Sequence, residues 1–137
     1  MRPERSAVAR LDDYRLVFDL AVGAGERVAA NVRQKKGAQV WGVAYWITFE
    51  ESQRLDRSEG VHRGVYLRRR ILVTLESGDP VEAFTYGSTR GVSGRKPPHR
   101  YMSLLLRGVR YHAMPSEYVS YLRSFPLALD ERPQELF

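Results

Sequence analysis

The sequence predicts an α+β fold, because strand patterns and a hairpin dominate its first two thirds and two helical patterns follow them. Its 137 residues, 43% of them hydrophobic, suffice for one domain with its own core. We therefore expect a single domain over residues 1–137, with loose ends at residues 1–8 and 126–137. A doubly wound parallel sheet would need alternating strands and helices, which the chain does not show.

Four stretches have strand character. Residues 14–20 alternate between polar and apolar side chains, and residues 39–47 (QVWGVAYWI) are rich in β-branched and aromatic residues. Residues 65–75 form a longer alternating run, followed by Ser-Gly-Asp-Pro, which is typical of a turn. Residues 81–86 then return as the second arm of a hairpin.

Three stretches have helical character. Thr48 and Glu51 have the spacing of a capping box, which predicts a helix from there to about Gly60. A second helix is expected after the Pro97-Pro98 pair, up to about Tyr111, and a third over residues 116–125, after Pro115. The expected core positions of these two helices are Leu104, Leu105, Val109, Tyr118, Val119 and Leu122.

The charge and the composition exclude several classes of protein. The net charge is +6, and 19 of the 22 basic residues are arginines. A basic surface attracts nucleic acid, but these arginines are scattered rather than clustered, so we do not expect nucleic-acid binding. No apolar run reaches the length of a membrane span and no signal peptide is evident, so we expect no membrane association and a cytoplasmic location.

The motifs of metal, nucleotide and nucleophilic sites are missing from the sequence. The chain has no cysteine, and its three histidines, His62, His99 and His112, are far apart, so no metal site is expected. Gly23 and Gly25 form a lone Gly-x-Gly without the other residues of a phosphate loop. No Gly-x-Ser-x-Gly motif supports nucleophilic catalysis.

The segment whose residue types best suit a catalytic site is residues 55–66 (LDRSEGVHRGVY). It places Glu59 at a predicted helix end, beside Gly60 and Gly64 and ahead of Tyr66. A carboxylate that is half buried against aromatic residues acquires a raised pKa and can act as a base. The alternative is that Glu59 is a solvated surface residue, as most glutamates are.

These residues resemble the γ-glutamylcyclotransferase-like proteins, which include the AIG2-like proteins. The resemblance runs from about residue 9 to residue 125. It rests on residues 40–45 (VWGVAY), Leu55-Asp56, the Glu-Gly-Val-x-x-Gly-x-Tyr motif of residues 59–66, Pro98 with Tyr101, and Pro115 with Tyr118.

The resemblance implies a mixed β-barrel with packed helices and an enzyme that needs no cofactor. Such an enzyme folds a small γ-glutamyl substrate so that its α-amine attacks the γ-carbonyl, which releases 5-oxoproline and an amine or amino acid. The catalytic glutamate of the family corresponds to Glu59, and its substrate-binding tyrosines correspond to Tyr66, Tyr86 and Tyr101. Strand alternation, independently of the resemblance, places Arg68 and Arg70 on the face of Tyr66, so that one of them is a candidate for binding a substrate carboxylate. The alternative is that both arginines lie on the solvent-facing exterior of the barrel.

The family also has an N-terminal strand with a Tyr-Gly-Ser-Asn loop, and the resemblance begins after it. The similar run from Tyr86 to Thr89 ends the predicted hairpin, so we interpret it as coincidence. We therefore expect little activity from these 137 residues alone, and an open sheet edge that invites self-association. The alternative function is a catalytically inert member that binds a γ-glutamyl-like ligand or a protein partner.

Overall fold

The structure is a computed structural model that describes residues 5–21, 28–58, 67–88, 91 and 96–128. It confirms the α+β prediction with four strands and three helices in these ranges. In chain order they are β1 (Arg5–Ala21), β2 (Val28–Trp46), α1 (Phe49–Ser58), β3 (Leu67–Leu75), β4 (Pro80–Gly87), α2 (His99–Tyr111) and α3 (Ser116–Arg123).

The described residues belong to two compact units. The first unit draws on Met1–Val17 and Asn31–Thr89, and the second draws on Phe18–Ala30 and Arg90–Phe137. The first unit therefore contains α1, β3 and β4 with most of β1 and β2, whereas the second contains α2 and α3. Whether the chain folds as one domain stays a prediction.

The four strands form one sheet with the order β2-β1-β3-β4. Strand β3 pairs antiparallel with β1, where Ala9 is opposite Leu75. It also pairs antiparallel with β4, from Leu67 opposite Gly87 to Thr74 opposite Pro80. The predicted barrel is wrong for the described strands, because β2 and β4 remain edge strands and backbone pairing does not close the sheet. Self-association through such an edge stays a prediction.

Strands β1 and β2 are longer than their hydrophobic patterns predict. They have 17 and 19 residues, because backbone pairing continues through polar stretches that interrupt the side-chain pattern. β1 begins at Arg5, and Val8 is buried, so residues 5–8 are strand rather than a loose end. Asp13 has a positive φ of 64°. Its carboxylate accepts a hydrogen bond from the backbone N–H of Gly37 at 2.9 Å, which fixes β1 against β2 at this point.

The predicted β3–β4 hairpin is confirmed. Gly78 takes a φ of 93° in the turn, a conformation that glycine adopts at no steric cost. The turn is closed by the Leu75 N–H, which donates to the Asp79 carbonyl at 2.9 Å, and by the Gly78 N–H, which donates to the Leu75 carbonyl at 2.8 Å. The hairpin therefore has a defined register along its whole length.

The core of the first unit lies between β1 and β3. Ala9, Leu11, Val73 and Leu75 are buried there and pack against one another. Strand alternation places Val73 and Leu75 on one face of β3, as expected, whereas Leu72 on the other face is 62% exposed.

Helix α1 begins with the predicted capping box. The backbone N–H of Glu51 donates to the Thr48 hydroxyl at 3.1 Å, and the Thr48 N–H donates to the Glu51 carboxylate at 2.9 Å. The bond from the Thr48 N–H holds the pKa of the Glu51 carboxyl below its ordinary value. The hydrogen bond from the Thr48 N–H to the ionised Glu51 carboxylate is therefore retained at neutral pH. It is lost when the pH falls through that lowered pKa.

Replacing Thr48 with alanine is expected to lower the free energy of unfolding by about 1 kcal/mol, because a helix N-terminus loses its side-chain acceptor. Urea denaturation of the two proteins measures the difference. Gln53→Ala is the matched control, since Gln53 is exposed on the same helix and away from the cap. An equal loss in both variants would show that the capping box contributes nothing beyond helix propensity.

The second unit has its own buried residues on α2 and α3. Tyr118 and Leu122 of α3 are buried as predicted, and Leu122 is only 1% exposed. On α2 the buried residues are Met102 and Val109, whereas Leu104, an expected core residue, is 58% exposed. Three consecutive leucines occupy positions 104–106, so the sequence pattern alone did not define which side of α2 is buried.

Aromatic rings also pack against one another in the second unit. The buried ring of Phe18 makes edge-to-face contacts with Tyr101 and Phe125, with centroids 6.1 Å and 4.8 Å apart. Ala128 is buried and forms a β-bridge with Pro98. Residues 126–128, which the sequence assigned to a loose end, thus include a paired residue, and the remainder of that predicted end lies outside the described residues.

Candidate functional site

A cavity of about 360 Å³ lies in the first unit. Its walls are residues 43–46 of β2 with Ile47 directly after that strand, residues 81–86 of β4 and Leu55 of α1. Both strands are edges of the described sheet. The volume is at the lower end of the range for small-molecule sites, so it suits a ligand about the size of a dipeptide.

A hydrogen-bonded trio borders this cavity through Tyr86, which belongs to the cavity wall. The Tyr86 hydroxyl donates to Oδ1 of Asp56 at 2.5 Å, and Arg68 donates from Nη1 to Oδ2 of Asp56 at 3.1 Å. The three residues come from β4, α1 and β3. One carboxylate thus binds a phenol and a guanidinium through its two different oxygens.

The register of the hairpin explains how the trio forms. Arg68 and Tyr86 are directly opposite one another in the β3–β4 pair, so their side chains share one face of the sheet. Phe84 lies two residues before Tyr86 on the same face, and the guanidinium of Arg68 lies 3.6 Å from the centre of its ring. Arg68 is therefore held both by an ion pair and by an aromatic ring.

The electrostatics of the trio favour the charged form of Asp56. The hydrogen bond from Tyr86, and secondly the bond and charge of Arg68, hold the pKa of the Asp56 carboxyl below its ordinary value, against partial burial that raises it. Asp56 is therefore ionised at neutral pH. Its interactions are lost only when the pH falls through that lowered pKa.

The structure describes two of the four predicted site residues. Tyr86 borders the cavity of the first unit, as described above. Tyr101 belongs to the second unit, where its hydroxyl oxygen accepts a hydrogen bond from the Ala30 N–H at 3.2 Å. Glu59 and Tyr66 lie outside the described residues, so their roles stay predictions.

The two arginines that were candidates for a substrate carboxylate differ in their surroundings. Arg68 pairs with Asp56, a carboxylate of the protein itself. Arg70 is exposed, opposite Phe84 in the hairpin. A role for either one in substrate binding stays a prediction.

Asp56 and Asn31 received no individual role from sequence reasoning. For Asp56 the only signal in the sequence was the Leu55-Asp56 pair shortly before Glu59. That pair does not reveal the partners of Asp56, which are distant in the chain.

Asn31 is the only asparagine of the sequence and is 2% exposed. Its side chain donates to the Ser88 carbonyl at 2.8 Å and accepts from the Ser88 N–H at 3.0 Å. An amide side chain thus joins edge strand β2 to the residue that follows edge strand β4.

Two further features of the described residues concern membranes and metals. None of the helices there combines the length and the apolar character needed to cross a bilayer. In the same ranges, no three aspartate, glutamate or histidine side chains come together as metal ligands.

Comparison with known proteins identifies the family. Residues 39–122 match the AIG2-like family, and the chain belongs to it. This confirms the resemblance that the sequence motifs indicate.

The relatives with curated names are gamma-glutamylcyclotransferases. The human protein is 28% identical over 121 residues, which are 85% of this chain and 64% of the relative. The mouse protein is 31% identical over 121 residues, with the same shares of the two chains. The chain thus spans about 64% of the length of these relatives.

Solved structures show the same fold. A gamma-glutamyl cyclotransferase structure superposes with a TM-score of 0.83 at 24% identity, covering 99% of this chain and 83% of the other. An uncharacterized protein from Homo sapiens superposes with a TM-score of 0.82 at 25% identity, covering 96% and 80% of the two chains.

Proposed function

We propose that this protein is a γ-glutamyl cyclotransferase, which releases 5-oxoproline from a small γ-glutamyl amino acid or amine. The match to the AIG2-like family together with the gamma-glutamylcyclotransferase relatives carries this proposal. The cavity beside Tyr86 supports it, because its volume suits a ligand of that size.

The reaction needs one residue that moves protons. The α-ammonium group of the substrate gives a proton to the carboxylate of Glu59, and the free amine then attacks the γ-carbonyl carbon. A new C–N bond closes the five-membered ring, and the bond to the leaving nitrogen breaks. The same carboxyl returns its proton to that nitrogen. It then takes the second proton of the new ring nitrogen and passes it on, so that the amine leaves as an ammonium ion and charge and atoms balance without a cofactor.

Binding residues supply the remainder of the rate enhancement in this proposal. The attack is intramolecular, so holding the substrate in a near-ring conformation lowers the barrier. Tyr66, Tyr86 and Tyr101 are the proposed substrate-binding residues. Their hydroxyls form hydrogen bonds and their rings exclude water.

The test is 5-oxoproline release from γ-glutamyl-alanine and from γ-glutamyl-lysine, followed by chromatography. The assay compares the 137 residues alone with the same residues preceded by a strand and loop that carry Tyr-Gly-Ser-Asn. We expect turnover with the extension and much less without it, because backbone amides of such a loop would orient the glutamyl group. Binding of either compound without any release of 5-oxoproline would instead support the catalytically inert alternative.

A further inference from the structure

Three consecutive arginines occupy the first half of strand β3, at positions 68–70, and each has different surroundings. Arg68 forms an ion pair, Arg70 is exposed, and Arg69 is half-buried. Because side chains alternate along a strand, Arg69 lies on the opposite face from the other two, which is the face of the buried Val73. Arg69 is therefore the arginine of this run that lies on the core side of the sheet.

The guanidinium of Arg69 lies beside the end of β4. Its central carbon and Nε are 3.6 Å from the position that a Cβ of Gly87 would occupy, and Oδ1 of Asn31 is 3.7 Å from the same position. Thr85, which is directly opposite Arg69 in the hairpin, and Tyr86 both belong to the cavity wall. Arg69 is not itself a wall residue, but its charged group is thus next to the Tyr86 end of the cavity.

The charge of Arg69 is unmatched within the part of the chain that the structure describes. Arg10 and Arg68 each form an ion pair with an aspartate, whereas no acceptor among the described residues binds the guanidinium of Arg69. A half-buried cation has lost part of its hydration, so an unmatched one favours an anion from outside the protein. The N–H groups of arginine form a fork that fits the two oxygens of a carboxylate.

We propose that Arg69 binds a carboxylate of the ligand, beside the Tyr86 end of the cavity. This inference rests on the proposed function, because every γ-glutamyl compound has an α-carboxylate, and a γ-glutamyl amino acid has a second carboxylate in its leaving group. Both carboxylates offer Arg69 the same chemistry, and ligands with and without the second one separate them. Arg69 thereby takes a role for which the sequence made Arg68 and Arg70 the candidates.

Calorimetric titration with two ligands tests the inference. They are γ-glutamyl-alanine and the γ-glutamyl derivative of ethylamine, which has no carboxylate in its leaving group. All proteins carry Glu59→Gln, so that turnover does not disturb the titration. Arg69→Met is expected to weaken binding of γ-glutamyl-alanine about 10- to 100-fold, because hydrogen bonds between two charged groups are lost. Arg69→Lys retains the charge without the fork, so its loss should be smaller.

The two ligands show which carboxylate Arg69 binds. An equal loss for both ligands assigns Arg69 to the α-carboxylate, which they share. A loss for γ-glutamyl-alanine alone assigns it to the carboxylate of the leaving group, and makes γ-glutamyl amino acids rather than amines the preferred substrates. Either result supports the inference, and unchanged binding of both ligands by folded Arg69→Met overturns it.

The dependence of binding on salt distinguishes an ion pair from a packing role. Added NaCl should weaken binding to the protein with Arg69 more than binding to Arg69→Met, because salt screens a contact between charges. Equal salt dependence would show that the substitution alters packing, and would overturn the inference. Thermal unfolding identifies any variant that fails to fold, and Arg69→Gln then takes the place of Arg69→Met.

Arg54→Met is the matched control, because Arg54 is an exposed arginine on α1 in the first unit and is not part of the cavity wall. It should leave binding unchanged. Arg70→Met tests the neighbouring arginine on the other face of β3. A loss of binding in Arg70→Met with none in Arg69→Met would overturn the inference.

The outcomes also separate this inference from the proposed function. Release of 5-oxoproline by the protein with its native Glu59, together with unchanged binding by folded Arg69→Met, would retain the activity and overturn only the role of Arg69. Binding that depends on Arg69 without any release would overturn the activity and retain that role. Absence of binding of both ligands to the protein with its native Arg69 would overturn both.

Discussion

Glu59→Gln is expected to reduce 5-oxoproline release by about 100-fold or more, the usual effect of removing a general acid–base group. Glutamine has almost the shape of glutamate but cannot take the proton of the α-ammonium group. The amine therefore stays protonated and cannot attack the γ-carbonyl. The fold should be retained, because the substitution removes one charge and no bulk.

The measurement is the initial rate of 5-oxoproline release from γ-glutamyl-alanine, in the form of the protein that shows turnover. Glu76→Gln is the matched control, because Glu76 is an exposed glutamate in the turn between β3 and β4. It should keep the full rate. A Glu59→Gln protein that retains most of its turnover would show that another group moves the proton.

Asn31→Ala should cause the largest loss of stability among the polar substitutions considered, about 2–5 kcal/mol, since removing one partner of a buried hydrogen bond costs about 1–3 kcal/mol. Asn31 makes two such bonds to the backbone of Ser88 and accepts a third from the N–H of Val32 at 3.0 Å. Both Asn31 and Ser88 are buried. The substitution removes these bonds together, and with them the link between the two edge strands.

Urea denaturation monitored by circular dichroism gives the free energy of unfolding. Gln34→Ala is the control, because Gln34 is an exposed amide in the same strand and should change stability little. Asn31→Asp supplies a second comparison: it retains the acceptor for the Ser88 N–H but places a carboxylate against the Ser88 carbonyl. Both variants at Asn31 should have a lower free energy of unfolding. A decrease below about 0.5 kcal/mol, which is within the usual range for surface substitutions, would contradict a structural role for the link between Asn31 and Ser88.

Features that depend on neighbours in the sequence were predictable. The capping box of Thr48 and Glu51 and the turn at Gly78 both form between residues a few positions apart, so residue type and spacing define them. The ends of β1 and β2 were not predictable, because backbone pairing carried them past their apolar runs. Closure of the sheet depends on which strands meet at the edges, and no local pattern encodes that.

The candidate site also has some features that were predictable from the sequence and others that were not. Spacing made Glu59 a candidate, but Tyr86 was selected only through the resemblance to a family. The contact of Tyr86 with Asp56 joins residues 30 positions apart, and that of Asn31 with Ser88 joins residues 57 positions apart. The sequence around one member of such a pair does not indicate which residue is its partner. Such pairs become visible only when the strand register is known.

The tight β3–β4 hairpin has a consequence for the order of folding. All of its paired positions are close in sequence, from Thr74 with Pro80 to Leu67 with Gly87, so little chain entropy is lost when they meet. The pairing of Ala9 with Leu75 instead closes a loop that contains β2 and α1. Local contacts form faster than distant ones, so the hairpin should be the early template onto which β1 docks. Since Arg68 and Tyr86 are already opposite one another in that hairpin, the Tyr86 part of the cavity wall is in register before the sheet is complete.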